Sequence, residues 1–379
     1  MTNALRIGGA LVVLAGLVFH SQYLGNPFPF RWAIVSVPAI VALLWLGWKG
    51  IVLDVLESAV LAFLGYAVLS LAWSLDWREG IISLHILFVL AGLFVIVRRI
   101  DRDWLSDAVP WGAGIAIVLT LPLGNFGMMG NENFYAEYLS ILIPLTVVRV
   151  KPFPVLAGLS GIVALAFNGS DTRWMALLGI FGLAWLWCLV QGYRKFCAAV
   201  FVVGIAVAVL LWPYLPQQSV FQRLELTYNT LAMWLDYPIF GIGLGGFNYL
   251  YPLYQEAHPA TIDGGVIKLM SNYAGASHNE FAQALAVFGL VGCTLLAGVA
   301  YVGLKDFPND ALSRLGLVSA FALAGVSLVG FPLQNPSTAV VAVIVMAAVC
   351  GSHGSNVAMR SRGMVRRAVG RRGISFRAS

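Results

Sequence analysis

Hydrophobic runs, most of them about 15 to 24 residues long, recur along nearly the whole chain and are separated by short polar segments. A helix needs about 20 apolar residues to cross the hydrocarbon core of a bilayer, where its own hydrogen bonds satisfy the backbone. The pattern therefore predicts an all-α polytopic membrane protein with about twelve transmembrane helices. Their approximate bounds are 4–20, 32–48, 54–73, 80–97, 105–123, 134–148, 154–168, 174–191, 196–213, 279–302, 311–330 and 338–352.

One long polar loop, 214–278, interrupts the series between the ninth and tenth predicted helices. Its first part predicts an amphipathic helix from Ser219 to Leu235, which should end before Pro238 because proline disfavours helical backbone in the preceding residue. A glycine-rich segment, 240–246, follows, but it lacks the preceding strand and the following Lys-Ser/Thr of a phosphate-binding loop. The aromatic residues beyond it are typical of a membrane interface: Phe247, Tyr249, Tyr251 and Tyr254.

The distribution of Lys and Arg predicts the orientation, because segments on the cytoplasmic side carry an excess of these residues. With both termini in the cytoplasm, only five of the 23 basic residues lie on the other side: Arg31, Arg78, Arg173, Arg223 and Lys268. The long loop is then outside the cytoplasm. We expect an integral membrane domain over 1–352 and a basic cytoplasmic tail over 353–379. Candidate chemistry falls in the long loop and in the outer joints 74–79, 124–133 and 168–173.

The composition excludes an ordinary soluble domain, since 60% of the residues are hydrophobic and only 11% are charged. The net charge of +6 comes mostly from the tail, whose arginines would each gain about 1 kcal/mol near anionic lipid headgroups. We therefore expect membrane lipids and not nucleic acid as the partner of this tail. The four cysteines fall in or beside apolar runs, so neither a disulfide framework nor a zinc site is predicted. We expect no metal and no cofactor.

Two residue types on the predicted outer face indicate chemistry. His278 begins a predicted helix, where the positive end of the helix dipole disfavours the imidazolium and leaves a neutral base that can accept a proton. Arg173 also begins a predicted helix, and a cation there opposes the same dipole. Its placement indicates either an anionic partner or an arginine that reaches to the membrane interface.

At these residues the chain resembles the bacterial O-antigen ligase and polymerase superfamily. The stretch His278-Asn-Glu-Phe-Ala-Gln-Ala-Leu-Ala-Val-Phe-Gly-Leu-Val-Gly292 is similar to that family's histidine signature, although Ala282 replaces a Leu and Val287 replaces a frequent Glu. Three further segments resemble family motifs in the same order. They are Gly130-Asn-Glu-Asn133, Ser170-Asp-Thr-Arg173, and Asp236-Tyr-Pro-Ile-Phe-Gly-Ile-Gly-Leu-Gly-Gly-Phe247, which follows a helix led by Arg223.

The resemblance implies a glycosyltransferase of the bacterial inner membrane that moves a glycan from undecaprenyl diphosphate to an acceptor hydroxyl. The favoured acceptor is lipid A core, as in O-antigen ligation, and the alternatives are a growing glycan, as in repeat-unit polymerases, or a protein side chain. His278 is then the catalytic base, and Arg173 and Arg223 bind the donor diphosphate. Orienting or acceptor contacts are assigned to Asn279, Glu280 and Asn133. We expect a metal-independent, inverting reaction.

A transporter of polyprenyl-linked glycans is the rival interpretation. Such a protein would place ionisable residues near the membrane midplane and would use broken helices in repeated halves. His85 and Glu137 are the candidates inside apolar runs. A scaffold without catalytic activity would leave the outer arginines and His278 unexplained.

Overall fold

The chain is described by a computed structural model that covers 27–48, 50, 52–122, 131–169, 202, 206, 217–257, 261–262, 265–266, 276–305, 307–308 and 310–350. Within these residues the fold is helical, apart from one antiparallel pairing of Thr261–Ile262 with Gly265–Val266. The all-α class predicted from the sequence is confirmed for this part of the chain.

The helices follow the hydrophobic runs closely. They are α1 (Pro27–Trp48), α2 (Val55–Ser70), α3 (Trp77–Val97), α4 (Arg102–Thr120), α5 (Glu132–Leu142), α6 (Pro152–Phe167), α7 (Gln217–Asp236), α8 (Gly246–Ala257), α9 (Glu280–Lys305), α10 (Ala311–Ser327) and α11 (Pro336–Cys350). The predicted helix over 134–148 is α-helical only as far as Leu142. It continues as a 3-10 turn, Ile143–Val147, in which Pro144 has no N–H to donate. Helix α8 was not predicted. The predicted helices over 4–20, 174–191 and 196–213 lie outside the described residues.

Among the helices that the structure describes, α3 and α9 are long and apolar enough to cross a membrane, and α2, α6, α10 and α11 are shorter apolar helices. Large apolar side chains also face outward, since Leu44, Leu156 and Val163 are 69%, 63% and 56% exposed. Soluble proteins rarely expose apolar surface on this scale. These features agree with the predicted class of membrane protein.

One end of the helical bundle is held together by buried and partly buried ion pairs, and we refer to it as the ion-pair end. Arg98, whose side chain is fully buried, donates to Asp54 at 3.1 and 2.8 Å, and Arg99 donates to Glu57 at 2.5 and 3.0 Å. Arg102 donates to Asp310 at 2.5 Å. These contacts join the start of α2, the end of α3 and the starts of α4 and α10. All three arginines belong to the set that the sequence assigned to the cytoplasmic side.

At the opposite end, the glycine-rich segment is hydrogen-bonded into a break in α9. The helix is interrupted at Gly289, which has φ 61° and ψ −169°. The backbone N–H groups of Ile242 and Gly243 donate to the carbonyls of Ala286 and Val287 at 2.9 and 3.1 Å, and Leu290 N–H donates to the Pro238 carbonyl at 2.9 Å. The segment therefore satisfies backbone groups that the broken turn leaves unpaired.

The glycines in this segment permit direct backbone contact. Gly241 has φ 69°, and a Cβ added to it would overlap the Val287 carbonyl. The Tyr66 hydroxyl of α2 lies 2.9 and 2.8 Å from the Phe240 and Phe288 carbonyls, so it can donate to either. The glycines therefore allow close packing of two backbone segments. This role agrees with the sequence, which lacks the preceding strand and the following Lys-Ser/Thr of a phosphate-binding loop.

Replacing Gly289 by alanine should destabilise the protein by about 2 kcal/mol or more, since a side chain is strained at this φ and would overlap the Ile239 carbonyl. Gly298→Ala is the matched control on the same helix, because nothing lies within 4 Å of a Cβ added there. Thermal unfolding in detergent should show a lower midpoint for Gly289→Ala and an unchanged or higher midpoint for Gly298→Ala. Equal midpoints would show that the break does not depend on glycine.

Candidate active site

His278 lies immediately before α9 in a backbone conformation that side chains seldom adopt. Its φ is 53°, and it is the one residue other than glycine with positive φ among the described residues. Hydrogen bonds on both sides fix this turn: the Ser277 hydroxyl donates to the Asn279 carbonyl at 2.6 Å and accepts from the Asn279 N–H at 3.1 Å. Non-glycine residues in this region of φ cost about 1–3 kcal/mol, and such strain clusters at functional sites.

The imidazole of His278 is packed against one end of a chain of aromatic rings. The Phe331 ring lies edge-on to it, with a centroid distance of 4.8 Å, and Phe331 in turn contacts Phe134 of α5 at 5.1 Å. Burial and, to a smaller extent, the positive charge of Arg223 together lower the pKa of His278 to about 4. The imidazole is therefore neutral at physiological pH and free to accept a proton. The sequence predicted a neutral base from the helix dipole, whereas the largest cause of the lowered pKa is burial.

Arg223 is brought to His278 by the packing of α7 along α9. Its charge acts on His278 and also on Glu137 of α5. A base and a guanidinium thus share one site, in which the first can take a proton and the second can bind an anion. Arg173, the other predicted arginine, lies outside the described residues.

Asn279 and Glu280 have well-defined partners. The Asn279 side chain accepts from the Ala282 N–H at 3.0 Å, which satisfies one of the free donors at the start of α9. The Glu280 carboxylate accepts from the Leu333 N–H at 3.0 Å. Both residues thus fix the backbone around His278, and Glu280 does so across to the loop between α10 and α11.

Asn133 lies at the start of α5. Its N–H donates to the Asn131 side chain at 2.8 Å, so Asn131 is the residue that caps this helix. Asn133 lies in the first turn of α5 together with Phe134. The Phe134 ring contacts Phe331, and Phe331 contacts the His278 imidazole.

The sequence did not identify two features of the site. The first is the loop between α10 and α11, 328–335, which contributes Phe331, the Leu333 N–H and Gln334, whose side chain donates to Gln283 at 3.4 Å. This loop has no charged residue and no recognisable motif. The second is Glu137, whose side chain is 2% exposed and meets the same loop at Gly330. A charged residue inside an apolar run was the sequence signal for Glu137, but it was interpreted as support for the transporter alternative.

His85 is the other ionisable residue named for the transporter alternative. Its Nε2 lies 2.9 Å from the Ser36 hydroxyl. It therefore has a hydrogen-bond partner within the bundle, as a structural histidine does. Over the ranges that the structure describes, no group of three His, Cys, Asp or Glu residues could hold a metal ion.

The sequence model of the family described as O-antigen ligase matches residues 156–297 of this chain. The matched segment contains Arg173, Arg223, the glycine-rich segment and His278, whereas Asn133, Glu137 and the loop 328–335 lie outside it. Comparisons with curated proteins and with solved structures found no match. The predicted resemblance is confirmed over residues 156–297, which are similar to the family described as O-antigen ligase.

Proposed function

We propose that this protein is a membrane glycosyltransferase that moves a glycan from undecaprenyl diphosphate to an acceptor hydroxyl, and that the acceptor is lipid A core. The observation that supports this most strongly is a partly buried, neutral His278 on which the charge of Arg223 acts, within the segment that matches the family. A base for an acceptor hydroxyl and a cation for a diphosphate are the two groups that such a transfer requires.

In the proposed reaction, the acceptor oxygen attacks the anomeric carbon of the donor sugar while its proton passes to the His278 imidazole. The bond from the anomeric carbon to the phosphate oxygen breaks, and undecaprenyl diphosphate leaves as an anion. A single displacement of this kind inverts the anomeric configuration. The leaving group is stable as an anion, so the reaction needs neither a strong general acid nor a metal ion.

Arg223 stabilises the charge that develops on the diphosphate, because its planar guanidinium can donate two hydrogen bonds to phosphate oxygens. We assign the same role to Arg173. When the diphosphate binds, its negative charge offsets the positive charge of Arg223 and raises the pKa of His278 from its low value in the free protein. Donor binding therefore makes the imidazole a stronger base when the acceptor is in place.

We further propose that the His278 end of the bundle faces the periplasm and that the ion-pair end faces the cytoplasm. Arginines at the ion-pair end, among them Arg98 and Arg102, support this orientation, since basic residues prefer the cytoplasmic side. In this topology the integral membrane domain covers 1–352 in the bacterial inner membrane. The basic tail, 353–379, contacts anionic lipids of the cytoplasmic leaflet.

A gene deletion complemented with wild type or with His278→Ala tests the transfer in cells. For a ligase, the deletion strain and the His278→Ala strain should both show lipid A core without glycan, together with accumulation of carrier-linked polymer. Core that carries a single repeat unit would instead indicate a polymerase. His85→Ala is the matched control, because this histidine contacts Ser36 and should restore the wild-type banding pattern. Wild-type bands from a normally expressed His278→Ala protein would refute the assignment of the base.

The protonation of His278 can be followed directly by NMR of imidazole-labelled protein in nanodiscs. In the wild type the imidazole should titrate near pH 4, well below its usual pKa near 6.5. Arg223→Gln removes a positive charge and should raise this pKa, but only part of the way, because burial is the larger cause. Arg78→Gln, an exposed arginine that stacks on Trp77, should leave the titration unchanged. An unshifted pKa in Arg223→Gln would show that this arginine does not act on His278.

A further inference from the structure

The loop between α10 and α11, 328–335, is hydrogen-bonded to the first turns of α9. Its Leu333 N–H donates to the Glu280 carboxylate at 3.0 Å, and its Gln334 side chain donates to the Gln283 side-chain oxygen at 3.4 Å. Both bonds join residues more than 50 positions apart in the chain, so they belong to the tertiary packing and not to a local turn.

The same contacts hold the backbone around His278. The Gln283 side-chain oxygen also accepts from the Ser277 N–H at 3.0 Å, which links the loop to the residue directly before the histidine. With φ 53°, the His278 backbone keeps its conformation only because its surroundings hold it. The plane of the imidazole is a separate matter, because the torsion that turns a histidine ring is broad and is not fixed by the backbone.

Phe331 is the loop residue that contacts the imidazole. The two ring centroids are 4.8 Å apart and the ring planes are inclined at 83°, an edge-to-face arrangement that aromatic rings favour. Phe331 is itself in contact with Phe134 of α5, at 5.1 Å and 76°. The imidazole therefore lies against a ring that is supported from its other side by a separate helix.

We infer that Phe331 is a positioning residue, which sets the plane of the His278 imidazole for its reaction with the acceptor hydroxyl. The inference rests on the proposed function, in which His278 takes the proton of that hydroxyl. A base must lie within hydrogen-bond reach of the proton that it removes, and a group misplaced by about 1 Å can cost about a hundredfold in rate. Phe331 also covers part of the imidazole, which agrees with burial as the largest cause of the lowered His278 pKa.

The first test measures kcat and KM with the purified full-length protein in nanodiscs, with undecaprenyl diphosphate-linked glycan as donor and lipid A core as acceptor. The assay is run at about pH 8, where an imidazole is neutral even at its ordinary pKa near 6.5. Phe331→Leu keeps an apolar side chain and removes the flat ring. We expect kcat to fall about 10- to 100-fold while the KM for the donor changes little, because the arginines assigned to the diphosphate are unaltered. Wild-type kcat in Phe331→Leu would overturn the inference.

Phe321→Leu is the matched control for this substitution. Phe321 belongs to α10, and its side chain is 46% exposed. The control should keep the wild-type kcat and KM. A loss in Phe321→Leu as large as that in Phe331→Leu would contradict a specific role for the ring beside the histidine.

The second test follows the titration of His278 by NMR in nanodiscs and does not depend on activity. Phe331→Ala should admit water to the imidazole and raise its pKa from about 4 part of the way towards 6.5. The ionisable groups on neighbouring elements stay in place, namely Arg223 of α7, Glu280 of α9 and Glu137 of α5. A general loss of stability would reduce the amount of folded protein without moving the titration of what remains. An unshifted pKa in Phe331→Ala would therefore count against the inference.

These outcomes are distinct from a failure of the proposed function. If His278→Ala transfers glycan at the wild-type rate, the proposed function is wrong. If His278→Ala loses transfer while Phe331→Leu keeps the wild-type kcat, the proposed function stands and only the positioning role fails.

Discussion

The hydrogen bonds between the glycine-rich segment and the broken turn of α9 are the constraint on which the site depends. A break in an apolar helix exposes carbonyl and N–H groups that have no water to bind in a membrane, so another part of the chain must satisfy them. Here the residues that directly follow α7 do so, through Pro238, Ile242 and Gly243. The helix that carries Arg223 and the helix that follows His278 are thereby joined at one point, which fixes how the two helices lie against each other.

The two ends of the bundle use charge in different ways. At the ion-pair end, Arg98, Arg99 and Arg102 each have a carboxylate partner within hydrogen-bond distance, so that each positive charge is neutralised by a negative one. At the His278 end, the charge of Arg223 acts on both the His278 imidazole and Glu137, and the Glu137 Oε2 has no hydrogen-bond partner among the described residues. The first arrangement stabilises the fold. In the proposed function, the second supplies a base and a cation for a substrate with hydroxyl and anionic groups.

The sequence predicted the helices well because the length of an apolar run is itself the requirement for a buried or membrane-spanning helix. The amphipathic helix before Pro238 was also predicted, since its periodicity and its stop signal are local. The break at Gly289 and the role of Gly241 were not, because both depend on a distant backbone segment that no local pattern encodes. Helix α8 was missed because its aromatic residues were interpreted as typical of a membrane interface, and because Pro252 lies inside it.

The candidate site was predictable only where its residues are polar and belong to motifs. His278 and Arg223 were identified in this way, and the structure brings them together. Phe331 and Gly330 are an ordinary aromatic residue and a glycine in an uncharged loop, so their importance arises only from the packing of that loop against α5 and α9. Glu137 was noticed, but its contact with Gly330 depends on how the loop 328–335 packs against α5.

Reconstituted transfer tests the central claim most directly. The purified protein in vesicles would receive undecaprenyl diphosphate-linked glycan and an acceptor, with a metal chelator present, and the anomeric configuration of the product would be determined by NMR. The account predicts an inverted linkage, formed at a rate that His278→Ala lowers by about 10²- to 10⁴-fold. A retained linkage, or an unchanged rate in His278→Ala, would contradict a single displacement assisted by this histidine.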